Sequence, residues 1–266
     1  MLIVAKALFW KEWKTMKKAI LLVSYGVASK AQWEKSLGVL EEEIRRDWPE
    51  WHVCQAFTGR RILEKYNAQG YEMSNETQAL NQLVEQGFEK IIVLPTHLTF
   101  GSEYSKVMTA IETTEPKSIA ALPLLGSEIS RRKVAEVLIR ETDLQEEEAI
   151  LYVGHGSKQD ESAVYEGLEK ELHASGQTAA IVGTLESIDQ VLTRINTRKV
   201  TVAPLLLTAG KHALQDICGE GKESVVSRLR ASGKEVCFIE KGLVEYESIR
   251  RIYLEQLEEL VQSFNL

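Results

Sequence analysis

The chain repeats itself. Lys90-x-x-Val93-x-Pro95 followed by Leu98-Thr99-x-Gly101 returns as Lys199-x-x-Val202-x-Pro204 followed by Leu207-Thr208-x-Gly210, every matched position displaced by 109 residues. The same offset sets Glu103 opposite His212. A second pair of segments, "KAILLVSYGVASK" and "EAILYVGHGSKQD", sets Tyr25 opposite His155. So many matches at one offset point to a duplicated unit, which fixes the fold class before any single residue is weighed.

Each copy alternates apolar runs of strand length with segments of helical period. Strands are expected at 18–26, 51–57, 90–95 and 118–125, and again at 149–154, 179–184, 199–207 and 235–240. Between them, Trp33, Leu37, Leu40 and Ile44 share one face of a single predicted helix, and 77–87 reads as a helix closed by Gly87. A last helix is expected across 246–264. Strands alternating with helices mean parallel sheets covered on both faces. The expectation is an α/β protein of two similar Rossmann-like domains, related by a pseudo-two-fold axis, with a cleft between them. The predicted boundaries are an N-terminal extension at 1–15, domains at 16–140 and 141–245, and a C-terminal helix at 246–266 packing back on the first domain.

Bulk properties narrow the function by exclusion. The chain has 266 residues, a net charge of −7 and 32 basic residues scattered among 39 acidic ones, so no basic stripe suggests nucleic acid. Three cysteines without a CxxC pair argue against a disulfide framework or zinc ribbon and favour a reducing, cytoplasmic setting. No apolar run reaches the ~18–20 residues of a membrane span. The start, "MLIVAKALFWKEWKT", makes a poor signal peptide and reads as a short helix or arm, with a membrane-surface helix as the lesser alternative. Met16 before Lys17-Lys18 looks like a second start. There is no phosphate loop of the G-x-x-x-x-G-K-[ST] type, no complete dinucleotide fingerprint and no G-x-S-x-G elbow. ATP, a nicotinamide cofactor and acyl-enzyme chemistry are therefore not indicated.

In parallel sheets ligands gather at the carboxyl ends of strands, and that is where the unusual residues fall. His155 follows a strand between two glycines that leave its ring uncovered; a turn histidine with a satisfied hydrogen bond is the plain alternative. His212 opens a helix after a strand, and Glu103 holds the equivalent place in the first copy, where it could simply favour the helix dipole. Glu186 follows the strand at 179–184. Two imidazoles with one or two carboxylates in one cleft suit Fe, Co, Ni or Zn better than Ca or Mg. His97 lies close enough to Glu103 in sequence to line the same cleft, whereas His52 and His173 read as surface residues.

Taken together, "MKKAILLVSYG", "QAFTGRRI", "THLTFGSEY", "VGHGS", "GTLES" and "LLLTAGKHALQD" resemble, in order and over nearly the whole chain from Met16, the anaerobic cobalt chelatases of the CbiK type. The resemblance implies a pseudo-symmetric two-domain chelatase fold and ATP-independent insertion of a divalent metal, Co²⁺ first, into sirohydrochlorin for cobalamin. Sirohydrochlorin ferrochelatase and nickel chelatase are the near alternatives. A non-catalytic tetrapyrrole or metal carrier is the distant one. By the same resemblance, His155, His212 and Glu186 hold the metal, the two imidazoles also accept protons, and Glu103 is the base on the facing half. The family commonly has aspartate where this chain has Lys211. Tyr25, Arg60, Arg61, His97, Lys158 and Lys211 are expected to contact the polycarboxylate substrate. The expected partners are a tetrapyrrole and a divalent metal, with neither nucleic acid nor membrane, and a homo-oligomer is left open.

Overall fold

A computed structural model describes residues 16–116, 118–142, 144–145, 147–156 and 162–264, with backbone alone for 211–213. The extension at 1–15 and Lys158 lie outside these residues, as do the side chains of Lys211 and His212.

Two four-stranded sheets form, all pairings parallel. The first uses β1 (Lys18–Ser24), β2 (His52–Phe57), β3 (Lys90–Pro95) and β4 (Ile119–Ala120) in the order β2-β1-β3-β4. The second uses β5 (Glu148–Gly154), β6 (Ala180–Thr184), β7 (Lys199–Pro204) and β8 (Glu235–Phe238) in the order β6-β5-β7-β8. The duplication survives at the level of single hydrogen bonds. Val23 pairs with Pro95 in one sheet and Val153 with Pro204 in the other. Just past the strands, the Thr96 amide donates to the Val23 carbonyl and the Leu205 amide to the Val153 carbonyl, both at 2.8 Å.

The helices of the first half are α1 (Lys30–Glu34), α2 (Leu37–Asp47), α3 (Arg60–Ala68), α4 (Glu76–Glu85), α5 (Ser102–Thr113) and α6 (Glu128–Glu141). Those of the second are α7 (Ser162–Ala174), α8 (Ile188–Leu192), α9 (Lys211–Cys218), α10 (Val225–Ala231) and α11 (Glu247–Ser263). Strand periodicity sorts the core. In β1, Ala19, Leu21 and Val23 face a cluster completed by Leu80 and Leu83 of α4 and Val107 of α5. In β5, Leu151 and Val153 face another, completed by Val191 of α8, Ile217 of α9 and Leu229 of α10. The alternate residues Ile20, Leu22, Ile150 and Tyr152 meet in one shared core with α6 and α11. Burying both faces of each sheet is what makes these strands uniformly apolar.

The C-terminal helix ties the halves. Its fully buried Tyr253 donates to the Thr96 carbonyl at 2.9 Å, and Arg250 pairs with Glu43 of α2 at 3.0 Å. Two sequence expectations change most. The helix expected through Trp33 and Ile44 breaks at Lys35-Ser36, where the Ser36 hydroxyl donates to the Gln32 carbonyl at 2.6 Å. The strand expected at 118–125 shrinks to two residues. There the Leu124 and Leu125 amides turn to the carbonyls of His97 and Leu98, both at 2.9 Å, and Gly126 closes a turn on Pro123.

Candidate active site

All the candidate residues with described side chains stand at or just beyond the carboxyl ends of strands. β5 ends on Gly154 and presents His155 to solvent. Any side chain at Gly154 would strike the Tyr165 ring, a Cβ there lying 2.8 Å from it. The His155 Nδ1 lies 3.1 Å from the Gly156 carbonyl. A carbonyl can only accept, so Nδ1 carries the proton, and in the neutral ring Nε2 presents its lone pair outward. Gly156 has φ +79°, and a Cβ there would lie 3.0 Å from the Thr184 Cβ and 3.4 Å from the Glu186 Cγ. The His155 loop therefore runs directly against the loop that carries Glu186. The Leu185 amide closes the seam by donating to the Gly154 carbonyl at 3.0 Å. Glu186 is exposed.

His212 falls in the first turn of α9, after Gly210 at the N-cap. Gly210 faces the other half: a Cβ on it would lie 3.4 Å from the Gln32 amide of α1. Here the halves leave a cleft of about 540 Å³ lined by Gln32 and Lys35 on one side and Ala209, Leu214 and Gln215 on the other. A larger groove, about 910 Å³ between α6 and α11, contains none of the candidate residues.

The first half carries a tighter cluster. Glu103, in the first turn of α5, pairs through Oε1 with Lys106 Nζ at 2.7 Å. That ammonium also donates to the Thr58 carbonyl at 3.2 Å. The Thr58 hydroxyl in turn lies 3.3 Å from His97 Nε2. Glu103 Oε2 and His97 Nδ1 are buried without a protein partner. Burial pushes the His97 imidazole down to about 4; the Glu103 charge opposes the shift and the Lys106 charge adds to it. His97 is thus neutral near pH 7. The structure sets the His155 loop against the Glu186 loop, and His97 near Glu103. Among the described residues no three His, Cys, Asp or Glu side chains form a metal-sized group, a set from which His212 is missing.

Around this end lie an apolar and a basic lip. Tyr25, Phe100 and Leu122, following β1, β3 and β4, are 51 %, 46 % and 47 % exposed. The Tyr25 ring leans over Gly59, where a Cβ would come within 3.1 Å of it. Arg60 and Arg61 open α3 on the surface, Arg60 paired with Glu64 at 2.9 Å. His173 is more than a surface residue: its Nε2 meets the Ala180 carbonyl at 2.7 Å. Neither Cys54 nor Cys218 offers a nucleophile, because burial raises the first to about 12 and the second to about 11. Sequence reasoning missed Thr58 and Lys106. The i,i+3 spacing of Glu103 and Lys106 was the available signal for the second, and nothing local marked the first.

The sequence model of the cobalt chelatase family CbiK matches residues 18–262, both halves and the connecting helices. The chain belongs to that family. Among relatives of this CbiK chain, the sirohydrochlorin cobaltochelatase of Salmonella typhimurium is 28 % identical over 255 residues, covering 92 % of this chain and 96 % of the relative. The sirohydrochlorin cobaltochelatase CbiKC of Nitratidesulfovibrio vulgaris is 27 % identical over 261 residues, covering 94 % and 92 %. SirB from Bacillus subtilis with Fe³⁺ shares the fold at a TM-score of 0.63 and 16 % identity, covering 92 % of this chain and 95 % of SirB. The sirohydrochlorin chelatase SirB of Bacillus subtilis subspecies spizizenii in complex with cobalt gives 0.63 at 18 % identity, with the same coverage. No helix among the described residues is long and apolar enough to cross a membrane.

Proposed function

We propose that this chain inserts a divalent metal, Co²⁺ in preference to Fe²⁺ or Ni²⁺, into sirohydrochlorin without ATP. The observation that carries this is the cobalt chelatase match running unbroken through both halves of the duplicated fold. The tetrapyrrole has to lose two pyrrole N–H protons while the metal exchanges water for ring nitrogens. His155 suits both tasks, since its Nε2 offers a lone pair to a metal or to a proton. His212 is its partner, placed by the repeat opposite Glu103. Glu186, on the adjoining loop, is the carboxylate that favours a divalent ion. Glu103, anchored on the facing half, is the base for a departing proton.

In this reading the lobes at 16–140 and 141–245 face each other across the macrocycle, and the C-terminal helix clasps them. Tyr25, with Phe100 and Leu122, supplies apolar contact to the flat ring. Arg60, Arg61, Lys158 and Lys211 meet its carboxylates, and His97 lines the floor near Glu103. Lys211 puts positive charge beside the second imidazole, which draws substrate carboxylates toward the metal entry side. The work is cytoplasmic, in keeping with three free thiols.

The test is turnover. Purified protein with sirohydrochlorin and Co²⁺, Fe²⁺ or Ni²⁺ in parallel, without nucleotide, is expected to give many equivalents of metallated product by absorbance, fastest with Co²⁺. Product that stops at one equivalent per chain would mark a carrier instead.

A further inference from the structure

The His97–Thr58–Lys106–Glu103 cluster holds more than a base needs. Lys106 touches two groups at once, the Glu103 carboxylate at 2.7 Å and the Thr58 carbonyl at 3.2 Å. Thr58 is itself fixed from both sides: its amide donates to the Ser24 carbonyl at 2.8 Å, and its hydroxyl meets His97. Glu103 is thereby tied through one oxygen to the rim of β1 and β2, while its other oxygen is buried and unpartnered. A buried acceptor left unpaired is destabilising until something fills it. An N–H donor or a divalent cation would fill it.

We propose that Lys106 is a positioning residue for Glu103, and that Thr58 is the fixed post to which the pair is bound. With Oε1 occupied by the ammonium, the carboxylate cannot rotate freely and cannot offer both oxygens together. It leaves Oε2 alone, in one orientation, as the free acceptor. Lys106 thus acts through Glu103 and touches neither substrate itself. Its counterpart in the repeat is Gln215, which carries no charge, so the device belongs to the first half only.

The kinetic readout rests on the chelatase reading above, and the experiment separates the two. Lys106→Met is expected to lower kcat by about tenfold to a hundredfold, the range for a misplaced catalytic group, with KM for sirohydrochlorin within about twofold. Lys106→Arg keeps the charge and should recover most of the rate. In a Glu103→Gln background, Lys106→Met should add less than about a twofold loss, because nothing remains to be positioned. Wild-type kcat in Lys106→Met, or a loss that multiplies with that of Glu103→Gln, would overturn the assignment. Independently of turnover, crystals of Lys106→Met should show the Glu103 carboxylate in more than one orientation and wild-type crystals in one. Should wild type fail to metallate sirohydrochlorin, the functional reading falls, while an unchanged Glu103 in the variant crystals is what would sink the positioning role.

Discussion

The strand ends of the two halves share a backbone frame but not their ionisable side chains. Val23–Thr96 and Val153–Leu205 make the same hydrogen bond, and α5 and α9 both start from a glycine N-cap at the 109-residue offset. On that common frame the first half builds a closed cluster in which His97, Thr58, Lys106 and Glu103 bind one another. The second half leaves His155 and Glu186 exposed on loops kept thin by glycine. Where the first half has His97, the second has Leu206, whose carbonyl accepts the Leu243 amide at 2.8 Å. Duplication preserved the hydrogen bonds that close each strand end. Divergence then gave one half a cluster already bonded together and left the other half's loops exposed.

Breaking the open side should have the largest effect. His155→Ala and His212→Ala are each expected to lower metal insertion by about a thousandfold, the scale of losing a group that serves in both binding and proton transfer. The thermal midpoint of His155→Ala should stay unchanged, since that ring is exposed and its bond among the described residues is to its neighbour's carbonyl. Insertion near the wild-type rate in either variant would remove the role.

Next comes an acid limb in stability to which the closed side contributes. His97 is held at about 4 when folded and returns to about 6.5 when unfolded. Between those values the unfolded chain binds the extra proton, so stability is full above pH 6.5 and is lost as pH falls toward 4, by up to about 3 kcal/mol. Denaturant titrations across this window should show the loss in wild type and a flatter profile in His97→Gln; identical profiles would contradict it. Glu103→Gln keeps the shape of the pair but not its charge, and should cost about a hundredfold in kcat with little change in fold. The smallest expected effect is on the seam between the two exposed residues. Gly156→Ala, forced to φ +79° against Thr184, should lose about 1–3 kcal/mol in denaturant titration.

Much of this was legible from residues alone, for a physical reason. Strands buried on both faces are written as continuous apolar runs, so β3 was read to the residue and β1, β5 and β7 within a few residues of their ends. The excess at 118–125 and 205–207 came from apolar side chains buried under loops: Leu124 and Leu205 are fully buried, yet the former caps a turn and the latter lies beyond Pro204. The break before Ser36 was hidden because Trp33 folds back over Gly38, where a Cβ would lie 2.9 Å from its ring, and so keeps a helical apolar spacing without a continuous helix. At the site, single residues at strand ends could be picked out by type and by the repeat. Thr58 could not, because it works through its carbonyl and a hydroxyl, and such roles leave no mark on composition.

The central claim is that loops from the two copies converge on one metal. Cobalt-soaked crystals with data collected at the cobalt absorption edge test it most directly. A single anomalous peak within bonding distance of Nε2 of both His155 and His212 is the predicted result. Cobalt bound by only one of these histidines, or elsewhere on the protein, would contradict it.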